Sequence, residues 1–271
     1  MGTEIQFVKY QGAGNDFVLV DMREIETELN DGIRKAMCDR RFGIGADGVL
    51  VILNSAIAHF KLVYYNSDGC LSSLCGNGSR CCLAYYLSMS QCKDSSIRFE
   101  CNGSIYEGGH VKENIYQLNM KDIETADIVT VDKDNFYINT GSPHHVRYVN
   151  GLHHKDIRAL GLKVRTESYG KEGCNINFCE ELSDGKLKVR TYERGVEDET
   201  LACGTGATAV ALVTHQRLKI MKEDSINSCF SYVILMPGGT LTVKFVATAK
   251  LFSNIYLIGP ALRVFTGVYN I

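Results

Sequence analysis

Two stretches of the chain carry the same reactive pattern. Residues 74–87 read LCGNGSRCCLAYYL and residues 202–214 read ACGTGATAVALVT. Each places a cysteine, Cys75 or Cys203, before Gly-x-Gly and an apolar run of helical character. The first turn of a helix has unpaired N–H groups and a partial positive charge. A thiol there ionises more readily than a free cysteine, and the same amides bind carboxylate or phosphate. The glycines after each cysteine let a ligand come close to the backbone. Two such loops suit one reaction in particular. One thiolate removes a proton from a carbon, the opposite thiol delivers a proton to the other face, and the carbon inverts with no cofactor consumed. A carboxylate held by the helix ends would be stabilised as the carbanion forms, and a thiol pKa can be tuned close to working pH. Racemisation or epimerisation beside a carboxylate is the chemistry these residues fit best.

The elements that must position the two cysteines repeat as well. Asn66 precedes Cys75 by 9 residues and Glu193 precedes Cys203 by 10. Upstream, Asn15 lies 60 residues before Cys75 and Ser142 lies 61 before Cys203. Matched spacing of this kind points to a duplication and hence to two similar domains around a shared cleft. Strand-like runs are numerous: 4–10, 16–21, 48–53, 59–65, 96–101, 115–120, 144–149, 186–192, 240–246 and 255–265. Their alternation and β-branched content predict half-buried antiparallel strands. Helices are few: one over roughly 30–40 and one after each Cys-Gly-x-Gly. This is an α+β pattern in which strands outnumber helices. The hinge is expected near Val111–Ile115, after the polar GSIYEGGHVKEN. The expected division is 1–114 for the first half, joined by a terminal strand at 260–271, and 115–259 for the second.

Composition narrows the alternatives. The 271 residues suffice for one large or two ordinary domains, and 45% hydrophobic with 22% charged residues is ordinary for a soluble globular chain. A net charge of −2 gives no basic excess for nucleic acid. The opening MGTEIQFVKYQGAGNDF lacks a basic stretch followed by an apolar core, and no run approaches the length of a membrane span. A cytoplasmic protein is expected, with no membrane or nucleic-acid partner. Eleven cysteines are an odd number in a chain too long to need staples. Cys38, Cys81, Cys82, Cys92, Cys101 and Cys229 are expected to be small buried hydrophobes. GIGADG at 43–48 fits G-x-G-x-x-G but runs into the strand-like GVLVIL, so it lacks the helix a dinucleotide site needs. The pairs Cys70/Cys75 and Cys174/Cys179 have a spacing zinc permits, but Cys174 and Cys179 would face opposite sides of a strand. No cofactor and no metal are expected. The histidine-rich HHVRYVNGLHH at 144–154 reads as a surface strand and loop.

Taken in order, GAGNDF (12–17), NSDG (66–69), CGNGSR (75–80), GSPHHV (141–146), NINF (175–178), YERG (192–195) and ACGTGA (202–207) resemble the motifs of the diaminopimelate epimerase family. That resemblance spans most of the chain. It implies two pseudo-symmetric α+β domains, each a barrel-like, mostly antiparallel sheet around a central helix, with the active site in the interdomain cleft. It implies a homodimer and a cofactor-independent isomerase that interconverts LL- and meso-diaminopimelate for lysine synthesis. By the same resemblance Cys75 and Cys203 are the two thiols. Gly76-Asn77 and Gly204-Thr205 correspond to the segments whose amides hold the reacting carboxylate. Asn15, Asn66, Asn175 and Arg194 correspond to substrate-holding positions, and Glu193 and His144 to positions that set the thiol proton balance. The residue types agree: Arg194 offers a planar fork for a carboxylate, the asparagines both donate and accept, and Glu193 can accept from an ammonium. Three departures bear on substrate recognition. Gly48 stands where the family often has glutamine, Ser142 where it has asparagine, and the turn after YERG is one residue longer. Rival readings are a proline racemase-like enzyme or another isomerase of the same doubled fold, and a non-catalytic amino-acid-binding protein.

Overall fold

A computed structural model describes residues 4–89, 96–218 and 228–271, and Cys92 lies outside them. The chain forms two compact units. One comprises Met1–Leu118 with Gly259–Ile271, and the other Asn119–Ile258.

In the first unit β1 (Glu4–Gly12) and β2 (Asn15–Asp21) form a hairpin, followed by α1 (Asp31–Cys38), β3 (Gly48–Leu53) and β4 (Phe60–Asn66). Helix α2 (Gly76–Met89) leads to β5 (Ile97–Cys101), β6 (Ser104–Lys112) and β7 (Ile115–Asn119). The second unit begins with the short β8 (Ile123–Glu124) and β9 (Val129–Thr130), then β10 (Asn135–Asn139) and β11 (Pro143–Tyr148). Helix α3 (Ile157–Tyr169) precedes β12 (Asn175–Glu181), β13 (Leu187–Glu193) and β14 (Asp198–Thr200). Helix α4 (Gly204–Arg217) is followed by β15 (Ser228–Met236), β16 (Gly239–Ala247) and β17 (Leu251–Pro260). Finally β18 (Leu262–Asn270) pairs antiparallel with β1 in the first unit.

The duplication is visible in the strand pairings. In the first unit β2 runs parallel to β3, β3 antiparallel to β4, and β4 parallel to β5. In the second, β11 runs parallel to β12, β12 antiparallel to β13, and β13 parallel to β15. Helices α1 and α3 form the first crossover of each unit, and α2 and α4 the second. The expectation of antiparallel strands therefore fails at these four pairings. The reason is visible in burial: Phe17 to Val20 of β2 and Val49 to Ile52 of β3 are all buried, because both faces of these strands are covered. One face packs on α1 through Val18, Val20, Val49, Val51 and Met37. The other faces α2, which touches β1, β2, β3, β4, β6 and β18. A helix contacted from so many directions has no solvent face, and α2 is buried without a break from Gly76 to Tyr85. Helix α4 stands likewise among β10, β11, β12, β15 and β16 and is buried from Gly206 to His215.

Several other expectations change. Helix α3 carries no clear signal because only Ile157 and Gly161 of it are buried. It is capped by Asp156, whose Oδ1 accepts from the Ala159 amide at 3.0 Å, an interaction typically worth about 1 kcal/mol. The polar stretch 103–114 is mostly strand β6, hydrogen-bonded between β5 and β7. The run 255–265 is two strands, β17 and β18, with Ala261 between them. Histidines 144 and 145 are buried rather than on the surface; of the four histidines in that run, His153 and His154 are exposed. Cys38, Cys81, Cys82 and Cys101 are buried, but Cys229 is exposed near the start of β15.

Candidate active site

In the first unit Cys75 immediately precedes α2, whose first turn holds no acidic residue to offset the positive helix end. The Gly78 amide points at Cys75 Sγ over 3.5 Å, and the Ser79 amide donates to the Cys75 carbonyl at 2.8 Å. Cys75 Sγ lies 3.6 Å from Asn15 Oδ1, the oxygen that also accepts from Asn77 Nδ2 at 3.5 Å. Asn15 in turn donates to Asp47 Oδ2 at 2.5 Å. Asp47 belongs to a set of charges that fixes the β1–β3 end of the unit. Arg40 bridges Asp16 and Asp47, and Lys9 pairs with Asp16 at 2.7 Å. Burial works against the Asp16 carboxylate, but Arg40 and Lys9 outweigh it and bring its pKa down to about 2. Sequence reasoning missed Asp47, although it lies in the GIGADG segment.

Arg80, one turn into α2, was also missed. It is fully buried and donates to Asn77 Oδ1 at 2.7 Å and to the carbonyls of Gly76 and Pro260 at 3.3 Å. Burial lowers its pKa to about 10, which leaves it cationic at neutral pH. Its charge therefore adds to that of the helix end behind Cys75.

Asn66 ends β4 opposite Gly48 of β3, and is exposed. The missing side chain at Gly48 has a steric cause. A Cβ there would lie 2.4 Å from the Tyr65 carbonyl oxygen and 2.6 Å from the Tyr64 ring. Tyr64 occupies the space above Gly48 that a glutamine would need.

In the second unit Cys203 is the N-cap residue of α4, with extended backbone, and again no acid lies in the first turn. Its Sγ is 3.5 Å from Thr205 Oγ1, and the Thr205 carbonyl accepts from Thr140. Strand alternation sorts the neighbours. Ile176, Phe178 and Tyr192 pack on the α3 side, so Asn175, Asn177, Thr191 and Glu193 face the other way, toward α4. On β11, Tyr148 bonds Thr214 of α4 while His145 bonds Tyr169 of α3, which places His144 on the α4 face. Asn175 donates to Ser142 Oγ at 2.9 Å and its Oδ1 accepts from the Arg194 amide at 2.9 Å, so Ser142 orients Asn175. Glu193 accepts from Thr200 at 2.8 Å. The guanidinium of Arg194 is exposed and reaches the Glu172 carbonyl at 3.4 Å. In the lengthened turn after YERG, Glu197 adopts φ 60° and binds the Tyr192 hydroxyl at 3.1 Å, which ties the loop to β13.

The repeat extends to the floor beneath each cysteine. A Cβ on Gly78 of α2 would meet Leu50, and one on Gly206 of α4 would meet Asn177 at 2.3 Å and Cys203 Sγ at 3.3 Å. Leu50 pairs with Tyr64 in the first unit and Asn177 with Thr191 in the second. The first unit thus has Phe17, Leu50 and Tyr64 where the second has His144, Asn177 and Thr191. One thiol loop rests on a largely apolar floor and the other on a polar one. Among the described residues no group of three or more His, Cys, Asp or Glu could hold a metal, and no helix is long and apolar enough to cross a membrane.

Two repeated α+β units, each with a cysteine leading a buried central helix, define a doubled fold. It is shared with a phenazine biosynthesis protein of the PhzF family from Bacillus anthracis, at TM-score 0.73 and 16% identity over 99% of this chain and 100% of that one. It is also shared with a hydroxyproline epimerase from Agrobacterium vitis, at TM-score 0.70 and 14% identity over 100% of this chain and 94% of that one. Within that class the sequence is specific. The diaminopimelate epimerase family model matches residues 7–124 and 136–264. The diaminopimelate epimerase of Flavobacterium psychrophilum is 41% identical over 96% of this chain and 98% of its own length. That of Chlorobaculum tepidum is 37% identical over 96% and 99%. The chain belongs to the diaminopimelate epimerase family.

Proposed function

We propose that this protein interconverts LL- and meso-diaminopimelate without a cofactor, by proton transfer between the α-carbon and two thiols. The observation that carries the reading is the repeated placement of Cys75 and Cys203 at acid-free N-termini of buried helices. In one direction the thiolate of one cysteine takes the α-proton, and the electron pair left behind delocalises into the α-carboxylate. The other thiol then gives its proton to the opposite face, leaving that cysteine as the thiolate. The reverse reaction exchanges the two roles, so the enzyme ends each turnover with its protons redistributed but not consumed. Helix-end amides at Gly76-Asn77 and Gly204-Thr205 are suited to bind the carboxylate as its charge grows.

Asn15, Asn66, Asn175, Glu193 and Arg194 are assigned to substrate binding, with Glu193 and His144 also assisting the thiols. A substrate with an amino acid at each end needs such a polar set, because a site built to hydrogen-bond both ends rejects analogues lacking one. A homodimer in the cytoplasm completes the reading, on family resemblance alone.

The test is α-proton exchange in deuterated water across free amino acids. Exchange from diaminopimelate is expected. Exchange from proline instead would favour a proline racemase-like enzyme, and none at all a binding protein. Cys75→Ala and Cys203→Ala should each reduce inversion by about two to four orders of magnitude, the usual contribution of an acid or base. Near-normal inversion by either variant refutes the two-thiol scheme.

A further inference from the structure

The polar floor of the second unit fixes the protonation of a residue the mechanism uses. Asn177 is fully buried, and its carboxamide has only one workable orientation. Its Nδ2 lies 3.0 Å from the His145 carbonyl oxygen and 3.4 Å from that of Asn175, while its Oδ1 accepts from Thr191 Oγ1 at 2.9 Å. Flipped, the amide would press its oxygen against two carbonyl oxygens. The same Nδ2 lies 3.1 Å from His144 Nδ1. An N–H directed at an imidazole nitrogen requires a lone pair there, so Nδ1 carries no proton. His144 is itself fully buried, and burial holds it neutral, with a pKa near 3. A neutral ring with a bare Nδ1 must carry its proton on Nε2. That Nε2 is buried and has no hydrogen-bond partner among the described residues.

We propose that Asn177 is a positioning residue that locks His144 as the neutral Nε2–H tautomer, so that His144 acts at the Cys203 end of α4 as a hydrogen-bond donor and not as a resting base. Gly206 makes room for the lock, since its missing side chain is what lets Asn177 approach the turn that carries Cys203. To accept a proton, His144 would have to take it at Nδ1 and break the Asn177 contact. Its N–H is instead suited to a thiolate sulfur or a substrate carboxylate oxygen, either of which gains negative charge during inversion. The Arg194 charge bears on the ring as well and further disfavours an imidazolium. The first unit has no counterpart, because Phe17 and Leu50 stand at the equivalent places. The tautomer assignment stands without the epimerase reading; its effect on rate rests on that reading.

The experiment is long-range 1H–15N correlation on protein labelled at histidine nitrogens, without substrate, from pH 5 to 8. The His144 signals are identified by their loss in His144→Gln. Expected is one bare nitrogen at Nδ1 and one protonated nitrogen at Nε2, unchanged across the range. An imidazolium, or a proton on Nδ1 at pH 7, overturns the proposal. In Asn177→Asp the carboxylate should draw a proton onto Nδ1 and bring the His144 titration into the range studied. α-Proton exchange should then fall with kcat, by about tenfold or more, while KM changes little. Thr191→Val, which frees the Asn177 oxygen, should shift the tautomer balance in the same direction but less. A wild-type spectrum as expected with no exchange from diaminopimelate would retain the tautomer and reject the epimerase reading.

Discussion

Acidification between pH 7 and pH 5 should weaken the second unit through two buried histidines. Burial brings His144 down to about 3 and His145 to about 4, from an ordinary 6.5. His145 is held neutral between Tyr169, 2.8 Å from Nδ1, and Asn135, 2.9 Å from Nε2. In the unfolded chain both rings regain the ordinary value. Below pH 6.5 the unfolded state therefore binds two protons that the native state refuses. Stability is fully present above that pH and is lost as pH falls toward the native values. Each such group contributes a limiting slope of about 1.4 kcal/mol per pH unit. For two histidines the loss from pH 7 to pH 5 integrates to about 4 kcal/mol, a large share of the stability of an ordinary domain. His215, also lowered by burial, acts in the same direction. Urea unfolding followed by circular dichroism and tyrosine fluorescence is the assay, since the chain has 14 tyrosines and no tryptophan. His145→Gln should remove about half of the pH dependence. A stability that is flat from pH 7 to 5, or a slope unchanged in the variant, would refute the assignment of these rings as buried and neutral.

Further outcomes follow from particular contacts. Gly206→Ala should cost about 1–3 kcal/mol by thermal unfolding, because Asn177 is held by several hydrogen bonds and cannot move aside. Gly78→Ala should cost less, since the obstructing atom is the end of the Leu50 side chain; equal losses would count against the rigid floor described here. Gly48→Ala should destabilise by a similar 1–3 kcal/mol or so, as its Cβ meets the Tyr65 backbone, and a neutral result in calorimetry would disprove that crowding. Asp47→Ala frees the Asn15 side chain, and KM for diaminopimelate should rise about tenfold, equivalent to about 1.4 kcal/mol. An unchanged KM would remove Asp47 from the support of the site.

What the sequence determined by itself was the chemistry and its repetition. Two Cys-Gly-x-Gly segments before apolar runs carry a local signal, because helix starts, glycine turns and thiol character are properties of a few adjacent residues. Strands β2, β3, β4 and β5 were legible for the same reason, each being a short β-branched or alternating run. Their parallel pairing was not, since it depends on which elements cover the two faces. Helix α3 was hidden because it buries little of its own surface. Its Gly161 has meaning only against Tyr192, where a Cβ would come within 2.3 Å. Histidines 144 and 145 looked like a surface run until the packing of α3 and α4 assigned one to each face. Asn177 stood in plain view in NINF, yet nothing local marks it as the partner of a histidine 33 residues away. Tertiary structure alone decided which asparagine orients which ring, because a hydrogen bond across parallel strands is set by register and not by spacing along the chain.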